Sequence, residues 1–240
     1  MNSPAGARHF HAELAALKAL LLEMSTLAED LVRHAVESLR DGDSGLAEAV
    51  VLGDRELDAI EMEVEDRCIH LLALQQPLAR DLRLIAMAMK VSNDLERVGD
   101  HAVNIAQTVQ RLGDFPPLAQ PPEIEEMTRL AREMLSDALD GFVRGDADAA
   151  RQVCARDDRV DALHDSMFRI LVTHMMEDPR RIGAAMELFL VSRNLERIGD
   201  LATNIAEDAV FLVEGRSIKH GAGKVGSGRD DVSGSGWTST

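Results

Sequence analysis

Apolar residues recur every three or four positions along most of this chain, which is the spacing of amphipathic helices. Two of these apolar seams are long and match each other at a shift of one hundred residues. The first seam comprises Leu84, Ala88, Val91, Leu95, Val98, Ala102, Ile105, Val109 and Leu112. The second comprises Ala184, Leu188, Val191, Leu195, Ile198, Ala202, Ile205, Ala209 and Leu212. Each seam predicts a helix of about 28 residues, or about 42 Å at the rise of an α-helix.

The match between the seams extends to the full sequence around them. The segment VSNDLERVGDHAVNIA at 91–106 recurs as VSRNLERIGDLATNIA at 191–206, with eleven of sixteen residues identical. Further upstream, 42–72 resembles 145–175 at a shift of 103 residues. Two unrelated helical segments would not agree this well by chance, so the chain contains one structural unit twice.

Each unit also has an earlier amphipathic stretch, which completes a set of three helices. The apolar positions of these stretches are Leu14, Leu17, Leu21, Met24, Ala28, Leu31 and Ala35 in the first unit, and Met127, Leu130, Met134, Ala138 and Phe142 in the second. Short turns with a glycine stop and an aspartate cap join the helices. The predicted helices are 8–40, 43–75, 78–112, 122–143, 146–177 and 180–214. The predicted fold class is all-α, with two tandem antiparallel three-helix bundles related by internal duplication.

The domain organisation follows from the duplication and from two shifts in composition. The first three-helix repeat is predicted at 8–115 and the second at 122–216, with the proline-rich linker 116–121 between them. The Gly/Ser-rich tail 217–240 has no periodicity and is expected to be disordered.

The net charge of the chain limits the kinds of molecule that it can bind. The formal net charge of −16 over 240 residues disfavours binding to nucleic acid or insertion at an anionic membrane surface. No apolar run reaches the roughly 20 residues of a membrane span, and the N-terminus shows no signal peptide, so we expect a cytoplasmic protein. Cys68 and Cys154 form no CxxC motif and are expected to be small buried residues. The sequence displays no basic cradle.

Rows of acidic residues are the main candidate chemistry. Glu96, Asp100 and Asn104 follow one another at steps of four residues, so they form one stripe of oxygen atoms beside the apolar seam. Glu196, Asp200 and Asn204 repeat this stripe. The preceding helices carry matching rows, which are Asp54, Asp58, Glu61 and Glu65 in the first unit and Asp157, Asp161, His164 and Asp165 in the second.

These rows support two interpretations. Like charges four residues apart destabilise a helix, so arginines, water or a metal ion should compensate them. Oxygen-rich ligation suits Mg, Ca, Mn, Fe or Zn. The alternative is a solvated acidic face with Arg97 and Arg197 as neighbours. Gly99 and Gly199 lie within these helices, where we expect them to permit close helix approach beside the acids.

Motifs of other chemistries are missing from the sequence. There is no ExxH, which a ferritin-like di-iron site needs twice, and no P-loop, HExxH or GxSxG motif. One GxGxxG match, GAGKVG at 221–226, lies in the Gly/Ser-rich tail and follows no predicted strand, so it does not indicate a dinucleotide-binding unit. We therefore expect no organic cofactor and no enzymatic activity.

The pair LERVGDHAVNIA and LERIGDLATNIA, in a duplicated three-helix unit, resembles the PhoU family. The resemblance covers about residues 8–220, including HFHAELAALKALLLEMSTLAEDLV and the closing SIKH. It implies a cytoplasmic, often dimeric regulator of phosphate uptake. Such proteins work beside the high-affinity phosphate ABC transporter and repress the phosphate-starvation response through the transporter's ATPase subunit and a sensor histidine kinase.

The resemblance also implies a metal site, because some members bind multinuclear iron or zinc clusters through the acid motif. The metal candidates carried onto this chain are Glu96, Asp100, Glu196 and Asp200, with Asp54, Asp58, Asp157 and Asp161 as second-choice ligands; Mg or Mn are further candidates for the bound ion. Asp94 is replaced by Asn194 in the second copy, so we expect the second site to be weaker or to hold fewer ions. The alternatives are a carboxylate-cluster metalloprotein with an enzymatic or metal-storage role, and a purely structural adaptor.

Overall fold

A computed structural model of the protein describes residues 4–75, 77–216 and 218. Within these residues the chain forms α-helices, one short 3-10 helix and no strand. The α-helices are α1 (Pro4–Asp41), α2 (Ser44–Gln75), α3 (Ala79–Leu112), α4 (Glu123–Arg144), α5 (Ala147–Cys154), α6 (Asp157–Glu177) and α7 (Ile182–Glu214). The predicted disordered tail, 217–240, lies outside the described residues apart from Ile218.

The helices assemble into two bundles, as the duplication predicts. Helices α1, α2 and α3 pack against one another, and α4 and α7 pack together with α5 and α6. The predicted fold class is therefore confirmed. Both apolar seams lie in or against one continuous core, with Val109 and Leu112 at the end of the first seam only partly buried. Phe142 is the largest fully buried side chain of this core. None of the helices in the described part of the chain is long and apolar enough to cross a membrane.

The long helices α3 and α7 join the two bundles. They run antiparallel, because Lys90 near the start of α3 pairs with Asp208 near the end of α7 at 2.6 Å. At the other end, Arg111 of α3 pairs with Glu187 of α7 at 2.7 Å. Helices α1 and α4 form a second contact between the bundles. The motif of each repeat thus lies on a helix that contacts both its own bundle and the other repeat.

The predicted aspartate caps are present at equivalent positions in the two repeats. Asp43 Oδ1 accepts hydrogen bonds from the backbone N–H groups of Gly45 and Leu46 at 2.9 and 3.0 Å. Asp146 accepts from the residues two and three positions further on, at 3.1 and 3.0 Å. Each cap satisfies donors that have no partner inside the helix, which fixes where α2 and α5 begin.

The prediction of one continuous helix at 146–177 is wrong, because a turn at residues 155–156 divides this segment into α5 and α6. In the first repeat the equivalent position is Gly53, and a Cβ atom there would lie 2.7 Å from Cδ2 of Leu31. Arg156 cannot approach its neighbouring helix as closely. Its backbone N–H bonds instead to the carbonyl of Val153, three residues back, at 2.9 Å. Its guanidinium bonds to Asp137 of α4 at 2.6 Å.

Both cysteines are free. Cys68 is buried as predicted, whereas Cys154 is only partly buried. Burial raises the pKa of the Cys68 thiol to about 12, and the charge of Glu65 acts in the same direction. Because thiolates are the nucleophiles and metal ligands, Cys68 acts here as a small apolar core residue.

Candidate functional site

Two clusters of carboxylates lie at equivalent places in the two repeats. The first acidic face is formed between α2 and α3 by Asp54, Asp58, Glu61, Glu96 and Asp100. The second acidic face is formed between α6 and α7 by Asp157, Asp161, His164, Glu196 and Asp200. All eight predicted site residues thus lie on the two faces. Mutual charge effects connect seven of them, and the eighth, Glu196, has Arg197 Nε at 3.6 Å.

Partial burial and mutual repulsion shape the first acidic face. Burial, with repulsion from Asp100, raises the pKa of Glu96 to about 7, and charges on α2 add to the effect. Burial also raises the pKa of Asp54 to about 6, with contributions from Asp58 and Asp100. These carboxylates are therefore held together in a setting that disfavours full ionisation at neutral pH.

The second acidic face shows the same physical pattern. Burial raises the pKa of Asp157 to about 6, with repulsion from Asp161 and Asp200. The pKa of Asp161 is also raised, by burial and then by Asp200. The residues on α6 thus meet the motif of α7, as those on α2 meet the motif of α3.

A glycine in each motif lies directly beneath the carboxylates. A Cβ atom at Gly99 would lie 2.5 Å from both Asp54 Oδ1 and Leu57 Cδ2. At Gly199 it would meet Val160 at 3.4 Å and Asp157 Oδ1 at 3.6 Å, which are ordinary contacts. The expected close helix approach is therefore present, and it is much tighter in the first repeat.

Each face contains one buried carboxylate oxygen with no hydrogen-bond partner among the described residues. These oxygens are Asp54 Oδ1 and Asp157 Oδ1, which are equivalent positions in the two repeats. Thr203 is near enough to Asp157 to oppose the rise in its pKa, but the two side chains form no well-aligned hydrogen bond. Buried polar atoms nearly always have hydrogen-bond partners. Two equivalent exceptions therefore suggest that both positions need a carboxylate oxygen for the same reason.

The motif arginines have different partners in the two repeats. Arg97 pairs with Asp94 at 3.4 Å, whereas Arg197 pairs with Asp200 at 3.0 Å. The difference follows from the replacement of Asp94 by Asn194, which offers Arg197 no carboxylate. Asn194 lies at the contact between α3 and α7, where its Oδ1 is 2.9 Å from Nδ1 of His101. The replacement therefore affects the second acidic face through Arg197 and not through a lost ligand.

The sequence alignment at a shift of 103 residues shows a further difference between the faces. Glu61 of the first face corresponds to His164 of the second. Nδ1 of His164 lies 3.0 Å from Oγ of Ser192, whose own hydrogen is donated to the carbonyl of Phe189. Nδ1 must therefore be the donor, which leaves Nε2 of the neutral imidazole with a free lone pair.

The side chains of the two faces are close enough to repel one another but are not arranged as a preformed cage. Within the described ranges, no group of three or more Asp, Glu, His or Cys residues is placed to hold a metal ion as it stands. A cation at either face would require rotation of the carboxylates toward it. The metal role of these residues stays a prediction.

The expectation that the chain lacks a basic cradle is wrong. Helices α3 and α7 enclose a cleft of about 510 Å³, here called the arginine cleft, lined by Arg97, His101, Asn104, Arg111, Leu190, Arg193, Asn194 and Arg197. Asn104 thus lines this cleft, although its spacing suggested a place in the acid row. The signal was present as two stripes of basic residues at helical spacing, but only the antiparallel packing of the helices brings them together.

The fold and the two acidic faces define an internally duplicated all-helical protein with a carboxylate motif in each repeat. The family model of the PhoU domain matches residues 21–109 and 124–209. The chain belongs to the PhoU family.

Relatives and solved structures agree with this assignment. A phosphate-specific transport system accessory protein PhoU homolog from Aquifex aeolicus is 41% identical over 208 residues, which cover 87% of this chain and 94% of that protein. The crystal structure of PhoU from Pseudomonas aeruginosa has a TM-score of 0.82 at 40% identity, covering 86% of this chain and 100% of that chain. The regulatory protein PhoU from Streptococcus pneumoniae has a TM-score of 0.80 at 28% identity, covering 87% and 98%.

The glycine contacts predict unequal effects of the same substitution. Gly99→Ala should lower the free energy of unfolding by about 1–3 kcal/mol, because the added methyl group meets Asp54 and Leu57 in a packed region. Gly199→Ala is the matched control and should be neutral or stabilising by up to about 1 kcal/mol, since alanine favours the helix. Urea unfolding monitored by circular dichroism measures both. Equal losses in the two variants would contradict the contacts described.

The first acidic face predicts a pH dependence of stability in the metal-free protein. Since the pKa of Glu96 is raised from 4.5 to about 7, the folded state binds more protons than the unfolded state between these values. The free energy of unfolding should therefore fall as pH rises through this range. Glu96→Gln should stabilise the protein at about pH 8 and have less effect at about pH 5. Glu196→Gln removes a partner of Arg197 at 3.6 Å and should not stabilise the protein. Identical pH profiles for both variants would refute the assignment.

Proposed function

We propose that this protein is a cytoplasmic, non-enzymatic regulator of phosphate uptake. In this proposal it represses the phosphate-starvation response by coupling the high-affinity phosphate ABC transporter, through its ATPase subunit, to a sensor histidine kinase. The observation that carries the proposal is the 41% identity, over 94% of its length, to a relative named as a phosphate-specific transport system accessory protein. A homodimer is the expected assembly, which light scattering of the purified protein would test.

The duplicated scaffold supports a role in docking partners. The motif helices α3 and α7 contact each other as well as their own bundles, so a change at one acidic face has a direct packing route to the other repeat. Charged faces on a rigid helical framework give partner selectivity and orientation more readily than catalytic rate enhancement. The absence of an ExxH pair from the sequence weighs against the alternative of a carboxylate metalloenzyme of the di-iron type.

We further propose that the acidic faces hold metal ions. The unpartnered oxygens Asp54 Oδ1 and Asp157 Oδ1 are suited to a cation, because a buried carboxylate oxygen without a donor lacks compensation. Glu96 and Asp100 would join Asp54 on the first face, and Asp200 would join Asp157 on the second. A bound cation would supply the positive charge that offsets the repulsion between the helices.

The donor sets of the two faces favour different cations. The first acidic face offers carboxylate oxygens alone, which suit iron, manganese or magnesium. The second adds the imidazole of His164, which extends the suitable ions to zinc. His164 donates its Nδ1 hydrogen to Ser192, an arrangement typical of histidines that ligate metals through the other nitrogen. Because Arg197 pairs with Asp200, the second face should bind its ion less strongly.

The regulatory proposal predicts a defined phenotype. Deletion of the gene should leave phosphate-starvation genes expressed when phosphate is plentiful, and the wild-type gene should restore repression. A reporter fusion to a starvation promoter measures this. If the host encodes no second copy and repression persists after deletion, the proposed function is wrong. Co-purification with the transporter's ATPase subunit from phosphate-replete cells tests the partner directly.

The metal proposal predicts a loss of bound ions on substitution of one face. The triple variant Asp54→Asn, Glu96→Gln and Asp100→Asn should purify with less iron, manganese or magnesium per chain than the wild type. The matched control replaces three carboxylates outside both faces, namely Glu133→Gln, Asp137→Asn and Asp140→Asn. Elemental analysis of protein purified without chelators measures the difference. Equal metal content in the two triple variants would remove the first face from the proposal.

A further inference from the structure

The arginine cleft is a basic site in an acidic protein. Four of its lining residues are arginines, and none of the lining residues is acidic, although the chain as a whole carries a formal charge of −16. Four guanidinium groups around one space repel each other unless an anion lies between them. Such a concentration of one charge on low-dielectric walls focuses the local field and attracts ions of the opposite sign.

The ion pairs of these arginines leave donors free for a ligand. Arg97, Arg111 and Arg197 pair with Asp94, Glu187 and Asp200. These acids do not line the cleft, and the three arginine side chains remain 51%, 43% and 49% exposed. Arg197 also lies near Glu196 at 3.6 Å, and Arg111 also donates to Thr108 at 2.8 Å. A guanidinium has five N–H donors, so these partners position each group without exhausting it.

Arg193 differs from the other three arginines. It is exposed and forms no hydrogen bond or ion pair with any other residue that the structure describes. Its equivalent in the first repeat is Asn93, so the charge was added on one side of the pseudo-twofold axis only. The repeat pattern alone therefore does not account for a positive charge at this position.

Polar groups complete the lining. The amide nitrogen of Asn194 donates to the carbonyl of Leu190 at 2.8 Å, so its oxygen faces His101. Nδ1 of His101 is therefore the donor in that contact, and Nε2 remains for a ligand. Asn104 adds an exposed amide, which can donate to an anionic oxygen.

We propose that the arginine cleft between α3 and α7 binds a small, soluble phosphoryl anion with two or more phosphate groups. Arginine forks match phosphate oxygens in bidentate geometry, and several of them favour a multiply charged ligand. The volume of about 510 Å³ lies within the range of small-molecule sites, and it exceeds the space that a single phosphate fills. The site is distinct from both acidic faces and does not depend on metal binding.

The test is isothermal titration calorimetry of the full-length protein at low salt. The soluble probes are inorganic pyrophosphate, ATP, orthophosphate and citrate, and phosphatidic acid vesicles are the lipid probe. Pyrophosphate or ATP should bind, and the affinity should fall as salt screens the arginines. Of these two, the tighter probe identifies an inorganic or a nucleotide source. Orthophosphate should bind more weakly than either. The double variant Arg111→Gln/Arg193→Gln should weaken binding by about tenfold or more, because it removes two charge-assisted contacts.

The matched control is Arg129→Gln, an exposed arginine of α4 that pairs with Glu133 and lies outside the cleft. It should bind pyrophosphate like the wild type. Circular dichroism should show that all variants remain folded, and the single variant Arg193→Gln replaces the double variant if the latter unfolds. Equal binding by cleft and control variants would overturn the proposal, as would tighter binding of citrate or binding only to phosphatidic acid vesicles. Because the assay uses no partner protein, its failure leaves the regulatory proposal intact, and failure of the deletion phenotype leaves the cleft intact.

Discussion

The close approach of α3 to α2 at Gly99 is the contact on which the first acidic face depends. The apolar seam requires α3 to lie against α2, and the missing side chain at Gly99 lets Asp54 and Leu57 occupy the space. This contact also brings Asp54 toward Asp100 and partly removes it from water. Packing thus holds together charges that electrostatics would separate. Burial of apolar surface can offset this cost, since each fully buried leucine or valine contributes about 1.5–3 kcal/mol.

The duplication produced two faces with the same plan and different electrostatics. The first face consists of carboxylates alone, and its motif arginine is drawn away by Asp94. In the second face His164 replaces a glutamate, and Arg197 pairs with Asp200. A single replacement at the contact between the repeats, Asp94 by Asn194, therefore changes a charge pair on the opposite side of α7. The arginine cleft lies at this same contact between α3 and α7. Each of these helices therefore carries an acidic face toward its own bundle and basic residues toward the other repeat.

Much of this architecture could be predicted from the sequence, for identifiable reasons. The apolar period fixes α3 and α7 and their burial, and the spacing of Asp54, Asp58, Glu96 and Asp100 fixes which side of each helix they occupy. The break before α6 was not predicted, because the match of 145–175 to 42–72, which forms one continuous helix, predicted one helix in the second repeat as well. The break falls where Arg156 stands in place of Gly53 of the first repeat, whose missing side chain leaves room for Leu31.

The arginine cleft and the partners of Arg97 and Arg197 were not predicted for a different reason. Arg111 and Arg193 are far apart in sequence and meet only because α3 and α7 run antiparallel. Which carboxylate an arginine chooses depends on side-chain rotamers, and both Asp94 and Asp100 lie three residues from Arg97. Sequence spacing allows either pair. In the structure Arg97 takes Asp94, whereas Arg197, which has Asn194 at the equivalent position, takes Asp200.

The central claim is that helix packing holds Glu96 among other carboxylates in a partly buried setting. Carbon-13 NMR of the glutamate side-chain carboxyl groups in the metal-free protein tests it most directly. One glutamate resonance should titrate with a pKa near 7, and that resonance should be missing from Glu96→Gln. If every glutamate of the wild-type protein titrates near the ordinary value of 4.5, the acidic face is solvated and the account is wrong.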